Sequence, residues 1–337
     1  MKISTVLDAL LAGKDLSSAQ VEEVMDAMLR GELGPASIAA FLVALRAKGE
    51  TVTEIAAAAR VMRAHAVGIP VPKGLTLVDT CGTGGDKSGT FNLSTAAALV
   101  AAAGGATVAK HGNRSVSSKA GSADVLEALG VRLDVPVDRL SGILMEVGIA
   151  FLFAPAHHGA TRHAVGPRRE LGVRTLFNVL GPLTNPAGAQ RQVMGVFAEE
   201  LVEPIGQVLK ELGTEHALVV HGHGGLDELS ISGPSTVAEV RDGAVRVHTI
   251  TPEQVGLERA SLDHLKGGDA HDNAAILRAI FEGERSPRSD AVALSAGAAL
   301  HVAGEASTLT EGVSDARRLL YSGAVTNTLD QLIAATA

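Results

Sequence analysis

The chain has 337 residues, a length that favours two domains or one large one and can bury a core without metal or disulfide support. At 46% apolar and 20% charged it is composed like a globular protein. A formal charge of -8, with 7 Phe, 1 Tyr and no Trp, argues against nucleic acid, whose binders present basic faces and stacking aromatics.

The single cysteine, Cys81, excludes an intramolecular disulfide and fits a reducing compartment. The first residues carry Asp8 in their apolar stretch and lack a cleavage-like region, and the apolar runs near 96–109 and 291–304 are too short for a bilayer. We therefore expect a cytoplasmic protein without a membrane partner.

Four helices are expected first. Residues Ile3, Val6, Leu7, Leu10 and Leu11 repeat at helical spacing. Ser17 with Gln20 and Thr51 with Glu54 form capping-box patterns at the starts of the second and fourth, and Pro35 suits the first turn of the third. After residue 72 short aliphatic strands alternate with helices: strands are expected at 75–78, 107–109, 149–153, 193–197 and 217–220, and amphipathic helices at 137–147 and 201–212. Residues 236–240 and 245–249 read as a hairpin, and helices return from Ala270. The polar, helix-like stretch from His157 to Pro186 is expected to rejoin the helical opening. The fold class is thus α/β, with a small all-helical domain beside a larger α/β domain whose central sheet is mostly parallel. We assign 1–70 with 162–188 to the discontinuous helical domain, and 71–161 with 189–337 to the α/β domain.

Four strings carry chemistry. Asp79-Thr-Cys-Gly-Thr-Gly-Gly-Asp86 follows the first strand, and Asn92-Leu-Ser-Thr95 opens an Ala-rich helix. Gly82, Gly84 and Gly85 let backbone N–H groups approach an anion that the helix start also faces. The loop lacks both the P-loop and the G-x-G-x-x-G spacing, so a plain glycine-rich turn remains the alternative. Lys110-His-Gly-Asn-Arg-Ser-Val-Ser-Ser118 reads as a loop at the carboxyl end of the next strand. Open α/β sheets bind ligands there; Ser115, Ser117 and Ser118 suit a phosphate and Lys110 supplies charge, against the alternative of a solvated basic loop. Asp227 and Glu228, set between apolar residues, are hard oxygen ligands suited to Mg²⁺, while His221 and His223 are expected to shape their loop. One of Arg162, Arg168 and Arg169 can grip a carboxylate bidentately; the others read as surface or interdomain salt bridges.

Taken together, these strings, with Arg168-Arg-Glu-Leu-Gly172 and Asn178-Val-Leu-Gly-Pro-Leu-Thr-Asn-Pro186, resemble the anthranilate phosphoribosyltransferases over essentially the whole chain. The resemblance implies transfer of a phosphoribosyl group from 5-phosphoribosyl 1-diphosphate to anthranilate in tryptophan biosynthesis, with Mg²⁺ as cofactor, by a homodimer joined through its helical regions. It implies that Gly82, Gly85, Asp86, Thr90, Asn92, Leu93, Ser94 and Thr95 hold the diphosphate and ribose phosphate. Lys110, His111, Gly112, Asn113, Arg114, Ser115, Val116, Ser117 and Ser118 share that role, with Ser122 close by. Ser94, Asp227 and Glu228 would bind the metal; Gly82, Asn113 and Arg168 would contact anthranilate. Gly159 and Thr161 depart from the Pro and Met common at those positions, beside the substrate channel. A pyrimidine nucleoside phosphorylase, or a transferase-like relative that binds nucleic acid without catalysis, are the alternatives.

Overall fold

A computed structural model describes residues 2–115 and 119–337. The chain opens with four helices, α1 (Ile3–Leu11), α2 (Ser18–Leu29), α3 (Pro35–Lys48) and α4 (Val52–His65). Both capping boxes form: the Ser17 and Thr51 side chains accept from the Gln20 and Glu54 N–H groups, while those side chains return to the cap backbone. The apolar faces of these helices share one core with Ala164, Leu176, Phe177, Leu180 and Leu183, so the stretch after His157 does pack with the helical opening.

Seven strands form one sheet: β1 (Leu77–Asp79), β2 (Thr107–Gly112), β3 (Ile149–Phe153), β4 (Arg191–Gly195), β5 (His216–Gly222), β6 (Ser235–Arg241) and β7 (Ala244–Ile250). Their order is β3-β2-β1-β4-β5-β6-β7, with the first five parallel and the last two antiparallel. The chain leaves β1 toward β2 and β3 on one side and returns as β4 on the other, so a topological switch point lies between β1 and β4. The hairpin β6–β7 turns on Asp242 and Gly243, whose φ values of 52° and 69° give the left-handed two-residue turn that matches strand twist. The four-residue connection expected from sequence is therefore half strand.

One face of the sheet carries the helix α5 (Leu93–Ala103) and the C-terminal helices. With few aromatics to fill space, these helices approach closely through small residues. A Cβ at Gly297 in Pro287–Ala303 would crowd the Val313 backbone of Leu309–Leu320 at 2.5 Å. The opposite face is covered by the helix Val202–Glu211, which shares its core with α1–α4. Among the described residues no helix is long and apolar enough to cross a membrane.

Candidate active site

The carboxyl ends of β1 and β4 open on either side of the switch point, and the glycine loop sits between them. The Thr83 N–H donates to the Gly195 carbonyl (2.8 Å), and the Phe197 N–H donates to Thr83 Oγ1 (3.1 Å). Gly84, Gly85 and Lys87 all have positive φ; Lys87, at 62°, holds a strained backbone conformation, as residues at binding loops often do. Asp86 closes the loop on itself through the Ser88 N–H (3.0 Å) and reaches across to accept from the Asp227 N–H (3.3 Å).

Asp227 and Glu228 follow β5 and face this loop. Gly195 permits the approach: a Cβ there would fall inside the Asp227 carbonyl group. A small enclosed cavity lies where these elements meet, lined by Thr80, Gly82, Ser94, Gly195, Glu228 and Ser295. Burial pushes the Glu228 carboxyl up to about 7, with Asp86 adding repulsion and Lys110 opposing it. Asp227 is raised well above the ordinary carboxylate range by burial and by the charges of Asp86 and Glu228. Asp86, Asp227 and Glu228 thus repel one another beside a cavity that Glu228 lines.

The cation that offsets part of the Glu228 charge is Lys110. Contrary to the loop reading, Lys110, His111 and Gly112 lie in β2, because parallel pairing with Phe151, Leu152 and Phe153 continues to Gly112. Lys110 is buried, and its Nζ donates to Thr80 Oγ1 (3.1 Å), the Thr80 carbonyl (3.3 Å) and Ser94 Oγ (3.5 Å). The charge therefore comes from within the strand and points beneath the glycine loop. His111 points elsewhere: both ring nitrogens are buried without a hydrogen-bond partner among the described residues, beside His158 at 5.1 Å between ring centroids. Burial lowers His111 to about 3 and His158 to about 4.

The loop proper begins at Asn113. Its carbonyl accepts from the Ala123 N–H (3.2 Å) and Ser122 Oγ (3.3 Å), which draws Ser122 to it as expected. Arg114 is not a free cation: its guanidinium pairs with Asp124 (3.0 Å) and with Glu127. The Ser115 N–H donates to Asp124 (3.0 Å), and Val116, Ser117 and Ser118 lie outside the described residues. Asn92 caps α5 by position but not with its side chain; its Nδ2 donates to the Ala120 carbonyl (3.2 Å) and its Oδ1 accepts from Asn273 (2.9 Å). Thr90 bridges Lys266, Leu93 is buried in the core, and the buried Thr95 hydroxyl has no partner among the described residues.

Arg168 lies in the helix Arg162–Leu171, half-buried, with its guanidinium 4.9 Å from the Phe177 ring centroid. Among the described residues it has no carboxylate partner, whereas Arg162 and Arg169 are exposed. Contrary to the loop reading, His221 lies in β5, paired with Thr236, and its Nδ1 meets the Val196 carbonyl (2.8 Å); His223, in the turn that follows, meets Ser232 Oγ (3.0 Å). Burial raises the Cys81 thiol, which makes it a poor nucleophile.

A family model described as the helical bundle domain of a glycosyl transferase family matches residues 4–66, and one described as its a/b domain matches 74–326. The anthranilate phosphoribosyltransferase of Thioalkalivibrio sulfidiphilus is 54% identical over 337 residues, spanning 100% of this chain and 99% of the relative. The chain belongs to the anthranilate phosphoribosyltransferase family. The family member from Halorhodospira halophila is 50% identical, over 100% of this chain and 98% of the relative. The Thermus thermophilus anthranilate phosphoribosyltransferase structure superposes with a TM-score of 0.93 at 49% identity, covering 98% of each chain. The Saccharomyces cerevisiae anthranilate phosphoribosyltransferase, solved in complex with PRPP and Mg, has a TM-score of 0.91 at 27% identity, over 99% of this chain and 97% of that one.

Sequence reasoning missed several residues that build this candidate site. Asn185 donates through Nδ2 to Asp79 (2.7 Å) and to the Ala109 carbonyl (2.8 Å), tying β1 to β2. The string ending at Pro186 held that signal without a role for it. Gly195 and Arg174 carried no local signal.

Proposed function

We propose that this protein transfers the phosphoribosyl group of 5-phosphoribosyl 1-diphosphate to the amine of anthranilate, giving N-(5-phosphoribosyl)anthranilate and diphosphate. The observation that supports this most is the meeting of three distant segments at one switch point: the glycine loop, Lys110 and the Asp227–Glu228 pair.

In this reading the glycine-loop amides and the start of α5 hold the diphosphate, and Lys110 contributes charge from below. The donor set fits Mg²⁺: Ser94, Asp227 and Glu228 offer hard oxygens, and the raised carboxyls mark a negative excess that a cation relieves. When bound, Mg²⁺ supplies charge stabilisation to the departing diphosphate. Arg168, half-buried and without a carboxylate partner among the described residues, suits the anthranilate carboxylate, with Gly82 and Asn113 near the ring. The amine is of the aniline type, neutral at physiological pH. Its lone pair attacks the ribose anomeric carbon as the bond to diphosphate breaks, so no strong general base is needed. Orienting that amine is the remaining task of the protein.

The reading extends to a cytoplasmic enzyme of tryptophan biosynthesis, whose helical domain comprises residues 1–70 with 162–188 and whose α/β domain comprises the remainder. Of the seven large apolar side chains exposed among the described residues, Leu11, Val43, Val67, Val165 and Val173 lie on or beside the helical segments and Met145 and Val247 do not, a majority that supports a homodimer joined through the helical part. The test is anthranilate fluorescence after addition of 5-phosphoribosyl 1-diphosphate, with and without Mg²⁺. A Mg²⁺-dependent loss of signal is expected; a constant signal from folded protein with both substrates intact overturns the proposal.

A further inference from the structure

The helix Arg162–Leu171 ends at Gly172, and two residues later Arg174 leaves the helical block and reaches the glycine loop. Its guanidinium stacks on the Phe197 ring, 3.8 Å from the centroid, and Nη2 donates to the Gly85 carbonyl at 2.5 Å. The Arg174 carbonyl in turn accepts from Arg46 of α3. The loop is thus gripped from two sides. The end of β4 holds Thr83 through Gly195 and Phe197, and the helical block holds Gly85 through Arg174.

Gly85 has a φ of 80°, so its peptide is turned by a conformation that only a glycine adopts freely. A charged donor on its carbonyl fixes that peptide. Among the described residues neither Arg174 nor Arg46 pairs with a carboxylate, so no acidic side chain competes with the Gly85 carbonyl for the Arg174 guanidinium. A guanidinium has five N–H donors, and one of those on Arg174 is used on Gly85. The stacked plane keeps the others beside a loop built to receive an anion.

We infer that Arg174 is a positioning residue that holds the glycine loop, from the helical block, in the shape that accepts the diphosphate. The inference rests on reading that loop as the diphosphate cradle. Arg174 orders the Gly85–Asp86 peptide before substrate arrives and leaves positive charge at the loop's edge, so its removal weakens the phosphate-bearing substrate selectively.

The test is calorimetric binding of 5-phosphoribosyl 1-diphosphate with Mg²⁺, without anthranilate, to the wild-type full chain and to Arg174→Ala and Arg174→Lys. Arg174→Ala is expected to weaken binding about tenfold or more, the scale of losing a hydrogen bond from a charged donor. Arg174→Lys should recover some of that loss, since an ammonium can reach the carbonyl but cannot lie flat on Phe197. The anthranilate KM at saturating co-substrate should stay within about twofold. Unchanged binding in Arg174→Ala overturns the inference, as do equal losses for both substrates. If Arg174→Ala does not fold, Arg174→Lys decides alone: wild-type affinity for 5-phosphoribosyl 1-diphosphate there refutes the role. Wild-type protein that binds 5-phosphoribosyl 1-diphosphate but never consumes anthranilate refutes the proposed reaction and leaves the loop-positioning role standing.

Discussion

Gly195→Ala adds one methyl group at the end of β4 and touches no side chain of the site. The added carbon would fall inside the Asp227 carbonyl group, so the Asp227 backbone must retreat by more than about 1 Å to restore van der Waals contact. Asp227 donates its N–H to Asp86 and precedes Glu228, which lines the cavity, so the retreat moves Asp227 and Glu228 and loosens Asp86. A misplacement on the order of 1 Å costs roughly 100-fold in rate, or about 2.7 kcal/mol of transition-state stabilisation. We expect kcat/KM by anthranilate fluorescence to fall at least about 100-fold, with a higher Mg²⁺ requirement and an unchanged far-UV circular dichroism spectrum. Gly142→Ala is the control. Gly142 is exposed in the helix Val137–Val147, nothing lies within 4 Å of its added carbon, and activity should be that of wild type. Retention of more than a third of kcat/KM in Gly195→Ala would refute the link between the close approach of β4 and catalysis.

Other outcomes follow from the same geometry. Arg168→Ala should raise the anthranilate KM about tenfold or more while leaving that of 5-phosphoribosyl 1-diphosphate nearly unchanged; an unaltered anthranilate KM counts against its role. Glu54 is fully buried and accepts from the Leu16 N–H (2.9 Å), the Thr51 N–H (2.8 Å) and Lys48 (2.9 Å). Glu54→Ala should therefore cost about 2 kcal/mol in denaturant unfolding, because it leaves two N–H groups without their acceptor and removes one of the two carboxylates on Lys48, which keeps Asp15 at 2.7 Å. His111 and His158 are held neutral, at about 3 and about 4 against an ordinary value of 6.5. The unfolded chain binds protons that the folded chain refuses, so this stability is present above pH 6.5 and is lost as pH falls toward 4. Each histidine contributes a slope of up to about 1.4 kcal/mol per pH unit, and His111→Asn should flatten the acid limb of the unfolding curve by one such slope.

The helical opening was legible because its signals are local. Ser17 with Gln20 and Thr51 with Glu54 mark helix starts within four residues of sequence, and both boxes form as read. Strand ends were less so. An apolar run such as 193–197 reflects burial, whereas β4 is bounded by its pairing with β5 and spans Arg191–Gly195. Lys110-His-Gly looked like a loop because a lysine rarely sits in a buried strand; Thr80 and Ser94, 30 and 16 residues away in sequence, make it tolerable there. For the same reason Arg114 read as a free cation, although Asp124 and Glu127 on the next helix claim it. The contacts that stayed hidden, Gly195 against Asp227 and Arg174 against Gly85, join segments distant in the chain through backbone atoms, where residue identity leaves almost no trace.

The close packing of glycine and alanine helices against the sheet has a consequence at the level of the cell. Volume that other α/β proteins fill with indole rings is removed here by bringing backbones together, as at Gly297 and Gly312, and the whole chain is made without a single tryptophan. A ribosome building it never waits for charged tryptophanyl-tRNA. A catalyst on the route to tryptophan is needed most when that amino acid has run out, and the packing of this core lets its synthesis proceed through the shortage.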